Sequence, residues 1–102
     1  MISFSSREME DRLLRDVEIL SAELLRLNLR IATVESCTGG AVAALVTEFP
    51  GSSAWFDRGF VSYSNAAKMD MVGVRAETLD AHGAVSEQAA LEMAQGGIDR
   101  SE

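Results

Sequence analysis

One short turn, Glu35 to Gly40 (ESCTGG), combines two hydroxyls, a thiol and two glycines. In such a turn backbone N–H groups can converge on an anion, or on an oxyanion that develops during a reaction. Ser36 is the candidate nucleophile. The candidates for shaping a pocket around the charge are Thr38, Gly39 and Gly40. A purely structural turn, in which Ser36 or Thr38 caps a helix, explains this local pattern equally well.

A second polar group, formed by Tyr63, Asn65 and Lys68, follows a predicted strand and opens the next predicted helix. Lys68 is the preferred base for Ser36, because a lysine partly removed from water can be neutral enough to accept a serine proton. Tyr63 could relay the proton or orient the amine, and Asn65 is a candidate for contacting a substrate. Alternatively, Lys68 is a solvated helix residue and Tyr63 a strand aromatic with its hydroxyl in water.

Other chemistries are weaker. His82, the only histidine, lies in a helix-ending AHG segment away from both strand ends, which disfavours a Ser-His-Asp triad. Cys37, the only cysteine, is a possible nucleophile or pocket residue, although buried packing is the favoured interpretation. A single cysteine and a single histidine allow neither an internal disulfide nor a Cys/His zinc site. The carboxylates show no close pair typical of an oxygen-rich metal site.

Composition describes the class of protein that must position these groups. The 102 residues are 47% hydrophobic and 25% charged, which is typical of one soluble globular domain. A net charge of −7 argues against a protein that follows a nucleic-acid backbone. The apolar runs are too short for a membrane span, and the start, MISFSSREMEDR, is too acidic and polar for a secretory signal. We therefore expect a cytoplasmic protein.

The first half of the chain predicts a helix, a strand, a second helix and a second strand, at Ser6–Leu27, Arg30–Val34, Ala41–Phe49 and Arg58–Tyr63. The apolar stripe of the first helix consists of Met9, Leu13, Val17, Leu20, Leu24 and Leu27. Strand, helix and strand in this order predict a parallel pair with a crossover connection. Since parallel strands share one carboxyl edge, the Tyr63 group is expected near Ser36.

Three further helices follow the second strand. Ser64 is expected to cap a helix that runs through Met71, and Arg75–Ala81 is expected to form another, closed by Gly83. Ser86 is expected to cap the last helix, with Glu87 in its first turn. Helices alternating with strands predict an α/β fold with a parallel βαβ core.

Four segments in fixed order carry a resemblance to a known family: VESCTGG at 34–40, GSSAWFDRGFVSYSNAAK at 51–68, GV followed by ETL at 77–79, and HGAVSE at 82–87. Together they resemble the CinA carboxy-terminal domain family, the nicotinamide-nucleotide amidases, over nearly the whole chain after residue 20. The resemblance implies a three-layer α/β/α fold, a cytoplasmic bacterial protein, and hydrolysis of nicotinamide mononucleotide to nicotinate mononucleotide and ammonia, without metal or cofactor.

Carried over by motif, the resemblance implies that Ser36 is the nucleophile and that Tyr63 and Lys68 activate it. The family continues beyond HGAVSE with further strands and a Gly-rich segment, so residues 1–102 are expected to be a single domain that is incomplete at its C-terminal end. An incomplete sheet leaves an edge and an apolar helix face uncovered, which predicts a homo-oligomer or pairing with a separately supplied second half. The alternative function is a non-catalytic remnant that binds a nucleotide or a partner.

Overall fold

The computed structural model describes residues 5–102, so the first four residues of the stretch used to judge a secretory signal lie outside the described residues. The elements are helix α1 (Ser6–Leu27), strand β1 (Ile31–Glu35), helix α2 (Ala41–Thr47), a short 3-10 helix (Ser52–Ala54), strand β2 (Phe56–Val61) and helices α3 (Asn65–Val72), α4 (Ala76–His82) and α5 (Glu87–Asp99). Strands β1 and β2 pair in parallel, which confirms the predicted βαβ core. The chain has an α/β fold.

Helices cover both faces of the sheet, which makes three layers. On one face α1 and α2 pack around Trp55, whose side chain is fully buried with Val17, Leu24 and Val46. On the other face a second core surrounds three buried side chains of α3, α5 and the segment between α3 and α4, namely Val72, Val74 and Met93. A register shift after Ile31 lets β2 contribute to both cores.

Several predicted boundaries differ by one or two residues from those observed. Helix α2 ends at Thr47 rather than at Phe49, because the Phe49 N–H bonds to the Val46 carbonyl three residues back and the chain tightens before Pro50. Strand β2 begins at Phe56 rather than at Arg58, because its pairing with β1 already starts at Phe56. The short 3-10 helix was not expected. Its backbone hydrogen bonds span three residues, a spacing that leaves no periodic apolar pattern in so short a segment.

The apolar stripe of α1 is only partly covered. Val17 and Leu24 are buried, whereas four other members of the predicted stripe are 38–47% exposed: Met9, Leu13, Leu20 and Leu27. Helix α2 and the sheet contact α1 along only one portion of that stripe. An apolar face therefore remains open to solvent along most of α1.

Two caps and one glycine fix the helices on the second face. Ser64 and Ser86 accept hydrogen bonds from the N–H groups of Ala67 and Ala89, so both predicted N-caps are confirmed. Helix α5 approaches the end of α3 so closely that a Cβ atom added to Gly96 would lie 1.8 Å from the Val72 carbonyl oxygen. This contact holds α3 against α5.

Candidate active site

The carboxyl ends of the two strands bring together the residues singled out by their chemistry. Ser36 directly follows β1, and the Ser62 N–H donates to the Glu35 carbonyl at 2.8 Å, which holds the end of β2 beside it. Helix α3 begins immediately afterwards, at Asn65, and carries Lys68 back over the same edge. The sheet topology therefore places a hydroxyl and an amine side by side, although 32 residues separate them in sequence.

Lys68 is buried, with 3% of its surface exposed, and its amine is fully engaged. Its Nζ lies 2.9 Å from Ser36 Oγ, 3.1 Å from the Ser62 carbonyl oxygen and 2.8 Å from the Tyr63 carbonyl oxygen. Ser36 Oγ also lies 3.3 Å from the Tyr63 carbonyl oxygen, to which its hydroxyl can donate. A solvated lysine on the outside of α3 is therefore excluded.

This arrangement suits both protonation states of the lysine. An ammonium group has three N–H donors, and three oxygen atoms surround Nζ. A neutral amine would use two N–H groups for the carbonyls of Ser62 and Tyr63, which leaves its lone pair directed at the Ser36 hydroxyl. Lys68 can thus accept the Ser36 proton without moving away from its partners.

Tyr63 takes part through its backbone rather than through its ring. Its carbonyl oxygen contacts both Lys68 and Ser36, whereas the residue is 70% exposed and its phenol hydroxyl forms no hydrogen bond within residues 5–102. The expected proton relay by the phenol has no geometric counterpart here. The position after a strand end is what brings the Tyr63 carbonyl into the site.

The remaining candidates lie around the mouth of the site. Cys37, Thr38, Gly39 and Asn65 are all exposed. The expectation that Cys37 packs in the core is wrong, because it lies in the turn before α2 and not on a buried helix face. Cys37, Thr38 and Gly39 follow Ser36 in sequence, and Asn65 begins the helix that carries Lys68, so all four can contact a molecule bound at the dyad.

Glu35 is the residue that sequence reasoning missed. It is buried, and its carboxylate accepts hydrogen bonds from the Thr38 hydroxyl at 2.7 Å and from the N–H groups of Gly40, Val42 and Ala43 at 3.2, 2.9 and 3.0 Å. Burial by itself raises the pKa of this carboxyl, but the four hydrogen bonds together outweigh burial and hold the pKa below its usual 4.5. The sequence did offer a signal for this role, because Glu35 lies between a predicted strand and the N-terminus of a predicted helix, where a carboxylate is favourable.

The two glycines of the turn have a backbone conformation that other residues rarely adopt. Gly39 and Gly40 have φ angles of 60° and 101°, in the left-handed region that favours glycine. The N–H groups at the start of α2, which were expected to face an external anion, donate instead to Glu35. The first turn of α2 is therefore already occupied by an internal anion.

A cavity of about 440 Å³ lies elsewhere, between β1 and α5. Its lining includes Ile31, Val34 and Met93 but none of the candidate site residues. The hydroxyl of its lining, that of Ser101, donates to a backbone carbonyl rather than to a base, so the hydrogen-bonded group at the strand ends remains the better candidate for the site.

Within residues 5–102, no three His, Cys, Asp or Glu side chains lie close enough together to hold a metal ion. In the same part of the chain, no helix combines the length and the apolar character that crossing a membrane requires.

The comparison with known families gives one clear match. The sequence profile of the CinA C-terminal domain matches residues 15–102. A nicotinamide-nucleotide amidohydrolase PncC of Escherichia coli (strain K12) is 62% identical over 68 residues, which is 67% of this chain and 41% of the relative. A CinA-like protein of Chlorobium phaeobacteroides (strain BS1) is 52% identical over 84 residues, 82% of this chain and 20% of the relative. The chain thus spans less than half the length of these curated relatives.

Solved structures agree with this match. The competence/damage inducible protein CihA from Agrobacterium tumefaciens has a TM-score of 0.81 and 47% identity. The alignment covers all of this chain and 59% of the CihA chain. A competence-damaged protein (CinA) superfamily protein from Escherichia coli has a TM-score of 0.84 and 33% identity. That alignment covers 97% of this chain and 56% of the Escherichia coli chain. The fold described above is shared with both.

Proposed function

The chain belongs to the CinA C-terminal domain family, and we propose that it is a nicotinamide-nucleotide amidase that hydrolyses nicotinamide mononucleotide to nicotinate mononucleotide and ammonia. The observation that carries the proposal is the 2.9 Å contact between the buried Lys68 amine and Ser36 Oγ. The name of the 62% identical relative supports the substrate class. A small-molecule substrate in a cytoplasmic protein, with no need for a metal or other cofactor, completes the proposal.

The reaction begins with attack by Ser36. Neutral Lys68 accepts the hydroxyl proton while Ser36 Oγ forms a bond to the carboxamide carbon of the substrate. The ammonium of Lys68 then returns a proton to the amide nitrogen, the C–N bond breaks and ammonia leaves. Water attacks the resulting Ser36 ester, with Lys68 again as the base, and releases the carboxylate product.

Backbone N–H groups next to Ser36 can stabilise the negative oxygen of the tetrahedral intermediate. The amides of Cys37 and Thr38 make no recorded hydrogen bond among residues 5–102, whereas those of Gly40, Val42 and Ala43 are bound by Glu35. The N–H of the residue that follows a nucleophile is a frequent oxyanion donor. We therefore assign the oxyanion to Cys37 and Thr38.

The same surface would bind the rest of the nucleotide. Gly39 and Asn65 are exposed beside the dyad and, together with the side chains of Cys37 and Thr38, are the candidates for contacting the pyridine ring and the ribose phosphate. Gly40 contributes through its backbone conformation, because its N–H is already bonded to Glu35. The phenol of Tyr63 can reach a substrate only from the solvent side.

Ammonia release from nicotinamide mononucleotide tests this function. We expect release by the 102-residue chain and a loss of at least about a hundredfold in both Ser36→Ala and Lys68→Met, because each variant removes one partner of the dyad. Asp70→Asn, on an exposed position of α3, is the matched control and should keep the activity of the unmodified chain. Unchanged release by Ser36→Ala would exclude Ser36 as the nucleophile.

A second function is that of a non-catalytic domain which binds a nucleotide or a partner. The matched region is 41% of the Escherichia coli relative and 20% of the Chlorobium relative, so the activity of those whole proteins is a proposal for this chain. Isothermal titration with nicotinamide mononucleotide separates the two functions. Binding without ammonia release by a folded chain would support the second.

We further propose that the chain self-associates through α1. The stripe of half-exposed side chains on α1 is of the kind that a neighbouring helix normally covers. Every copy carries the same stripe, so two copies related by a two-fold axis can cover each other. Light scattering at micromolar concentration should give a dimer that Leu13→Glu with Leu20→Glu converts to a monomer. A monomeric unmodified chain would contradict this, and would turn attention to a partner supplied by another chain.

A further inference from the structure

The unassigned feature that the structure builds most completely is the set of hydrogen bonds around Glu35. Its carboxylate is buried, with 5% of the residue exposed, and it accepts hydrogen bonds from one hydroxyl and three backbone N–H groups. Glu35 thus binds groups of the turn and of the first residues of α2 at the same time. The loop that these hydrogen bonds hold begins at Ser36.

We propose that Glu35 is a positioning residue for Ser36, acting as a resident anion at the start of α2. This inference rests on the proposed amidase function. Ser36 and its carbonyl are covalently attached to Glu35, and the Gly39 N–H donates to the Ser36 carbonyl at 3.0 Å, which closes the turn. With Oε1 bonded to Thr38, Gly40 and Val42, both ends of this turn are tied to the same carboxylate.

The hydrogen bonds of Glu35 hold Ser36 next to Lys68. The Glu35 carbonyl accepts from the Ser62 N–H at 2.8 Å, while the Glu35 carboxylate accepts hydrogen bonds from the turn and from α2. Ser36 therefore lies between a backbone tied to β2 and a turn tied to α2. Releasing the carboxylate frees the turn, whereas the Ser62 and Tyr63 carbonyls still hold Lys68.

A second consequence concerns where charge can bind. Three N–H groups at the start of α2 already donate to Glu35, so this helix end is closed to the phosphate of a nucleotide. The amides of Cys37 and Thr38 stay available for the oxyanion. Because of Glu35, the N–H groups at the start of α2 and the N–H groups that bind the oxyanion are therefore two separate sets.

Glu35→Gln tests the proposal because it keeps the size of the side chain but replaces one acceptor oxygen by an NH2 donor. We expect kcat for ammonia release to fall by about a hundredfold, the effect of misplacing a reacting group by about 1 Å. KM should change by less than kcat does, because Asn65, a candidate substrate contact, lies outside the freed turn. Glu48→Gln, which removes the same charge from the exposed far end of α2, is the matched control and should leave both constants unchanged.

Amide hydrogen exchange gives a readout that needs no catalysis. In Glu35→Gln the amides of Gly40, Val42 and Ala43 should exchange about tenfold faster or more, while amides in the core strands keep their rates. Equal exchange at these amides in the variant and the unmodified chain would overturn the proposal. If even the unmodified chain releases no ammonia, the amidase function fails, and the exchange rates still decide whether Glu35 orders the turn.

A milder variant covers the case in which Glu35→Gln does not fold. Among the hydrogen bonds to Glu35, Thr38→Val removes the 2.7 Å bond from the hydroxyl and leaves the three N–H donors in place, and exchange in the absence of substrate separates this effect from any contact of Thr38 with the substrate. We expect a smaller increase in exchange at Gly40 and a smaller loss of kcat. Unchanged exchange and unchanged kcat in Thr38→Val would count against the proposal in the same way.

Discussion

The contact between α5 and α3 gives a prediction whose size follows from one distance. Alanine at position 96 would place its Cβ 1.8 Å from the Val72 carbonyl oxygen and 2.7 Å from the Val72 carbonyl carbon. A carbon atom and a carbonyl oxygen approach to about 3.3 Å at the closest, so the two helices must separate by about 1.5 Å. Because the obstructing atoms belong to the backbone, no rotation of a side chain can relieve the clash.

The expected loss of stability combines two opposing effects. Overpacking of this kind costs about 3 kcal/mol, at the upper end of the usual range. Alanine favours a helix over glycine by about 1 kcal/mol, so the net loss in Gly96→Ala is about 2 kcal/mol. At about 4–8 °C per kcal/mol for a domain of this size, Tm should fall by about 8–16 °C. Thermal unfolding followed by circular dichroism measures this change.

A neighbouring glycine supplies the graded control. A Cβ at Gly97 would meet Val34 Cγ2 at 2.5 Å, and this methyl group can move by a side-chain rotation. Gly97→Ala should therefore lower Tm by less than Gly96→Ala does. If Tm stays the same or rises in Gly96→Ala, helix propensity decides the outcome, and the close packing of α5 on α3 is refuted.

Three other predictions concern protonation, capping and the tyrosine. The hydrogen bonds from the Thr78 hydroxyl and the Arg75 N–H hold the pKa of Glu92 below its usual 4.5, and the pKa of Glu35 is lowered as well. Because both carboxyls lose their proton more readily in the folded state, both stabilise the fold above about pH 4.5. The urea midpoint should fall as pH drops through their lowered pKa values, and a profile that is flat down to pH 3 would contradict this. Ser64→Ala and Ser86→Ala each remove an N-cap and should cost about 1 kcal/mol in urea unfolding. Only Ser64→Ala should also lower ammonia release, because Ser64 caps the helix that carries Lys68, so equal activity of the two variants would argue against that link. Tyr63→Phe should keep kcat within about threefold, because only the backbone of Tyr63 contacts the dyad, and a much larger loss would restore the phenol as a proton relay.

The parts of the fold that the sequence predicts well are those with a local cause. Helix α1 follows from its apolar period and ends where predicted, and the Ser64 and Ser86 caps follow from one residue each. The parallel pairing of β1 and β2 follows from the order strand, helix, strand. The proximity of Ser36 and Lys68 then follows from that topology, although the distance between their side chains does not.

Other features depend on contacts between distant segments, and the sequence does not reveal them. The role of Glu35 needs the start of α2 to fold back over the end of β1, and Gly96 needs α5 to pack on the end of α3. Burial of Cys37 was predicted from the usual behaviour of a lone cysteine, but the turn leaves it in solvent. The exposure of the Tyr63 side chain is likewise not evident from the sequence, because strand β2 ends at Val61, two residues earlier than predicted, and Tyr63 lies outside it.

The most direct test of the account is the detection of a substrate-derived ester on Ser36. The chain would be mixed with nicotinamide mononucleotide, quenched in acid within its first turnovers and digested, and the peptide that contains Ser36 would be examined by mass spectrometry. We predict a mass increase equal to the substrate minus ammonia on Ser36, absent in Ser36→Ala and much reduced in Lys68→Met. Ammonia release without any ester on Ser36, or an ester on Cys37 instead, would contradict the assignment of Ser36 as the nucleophile.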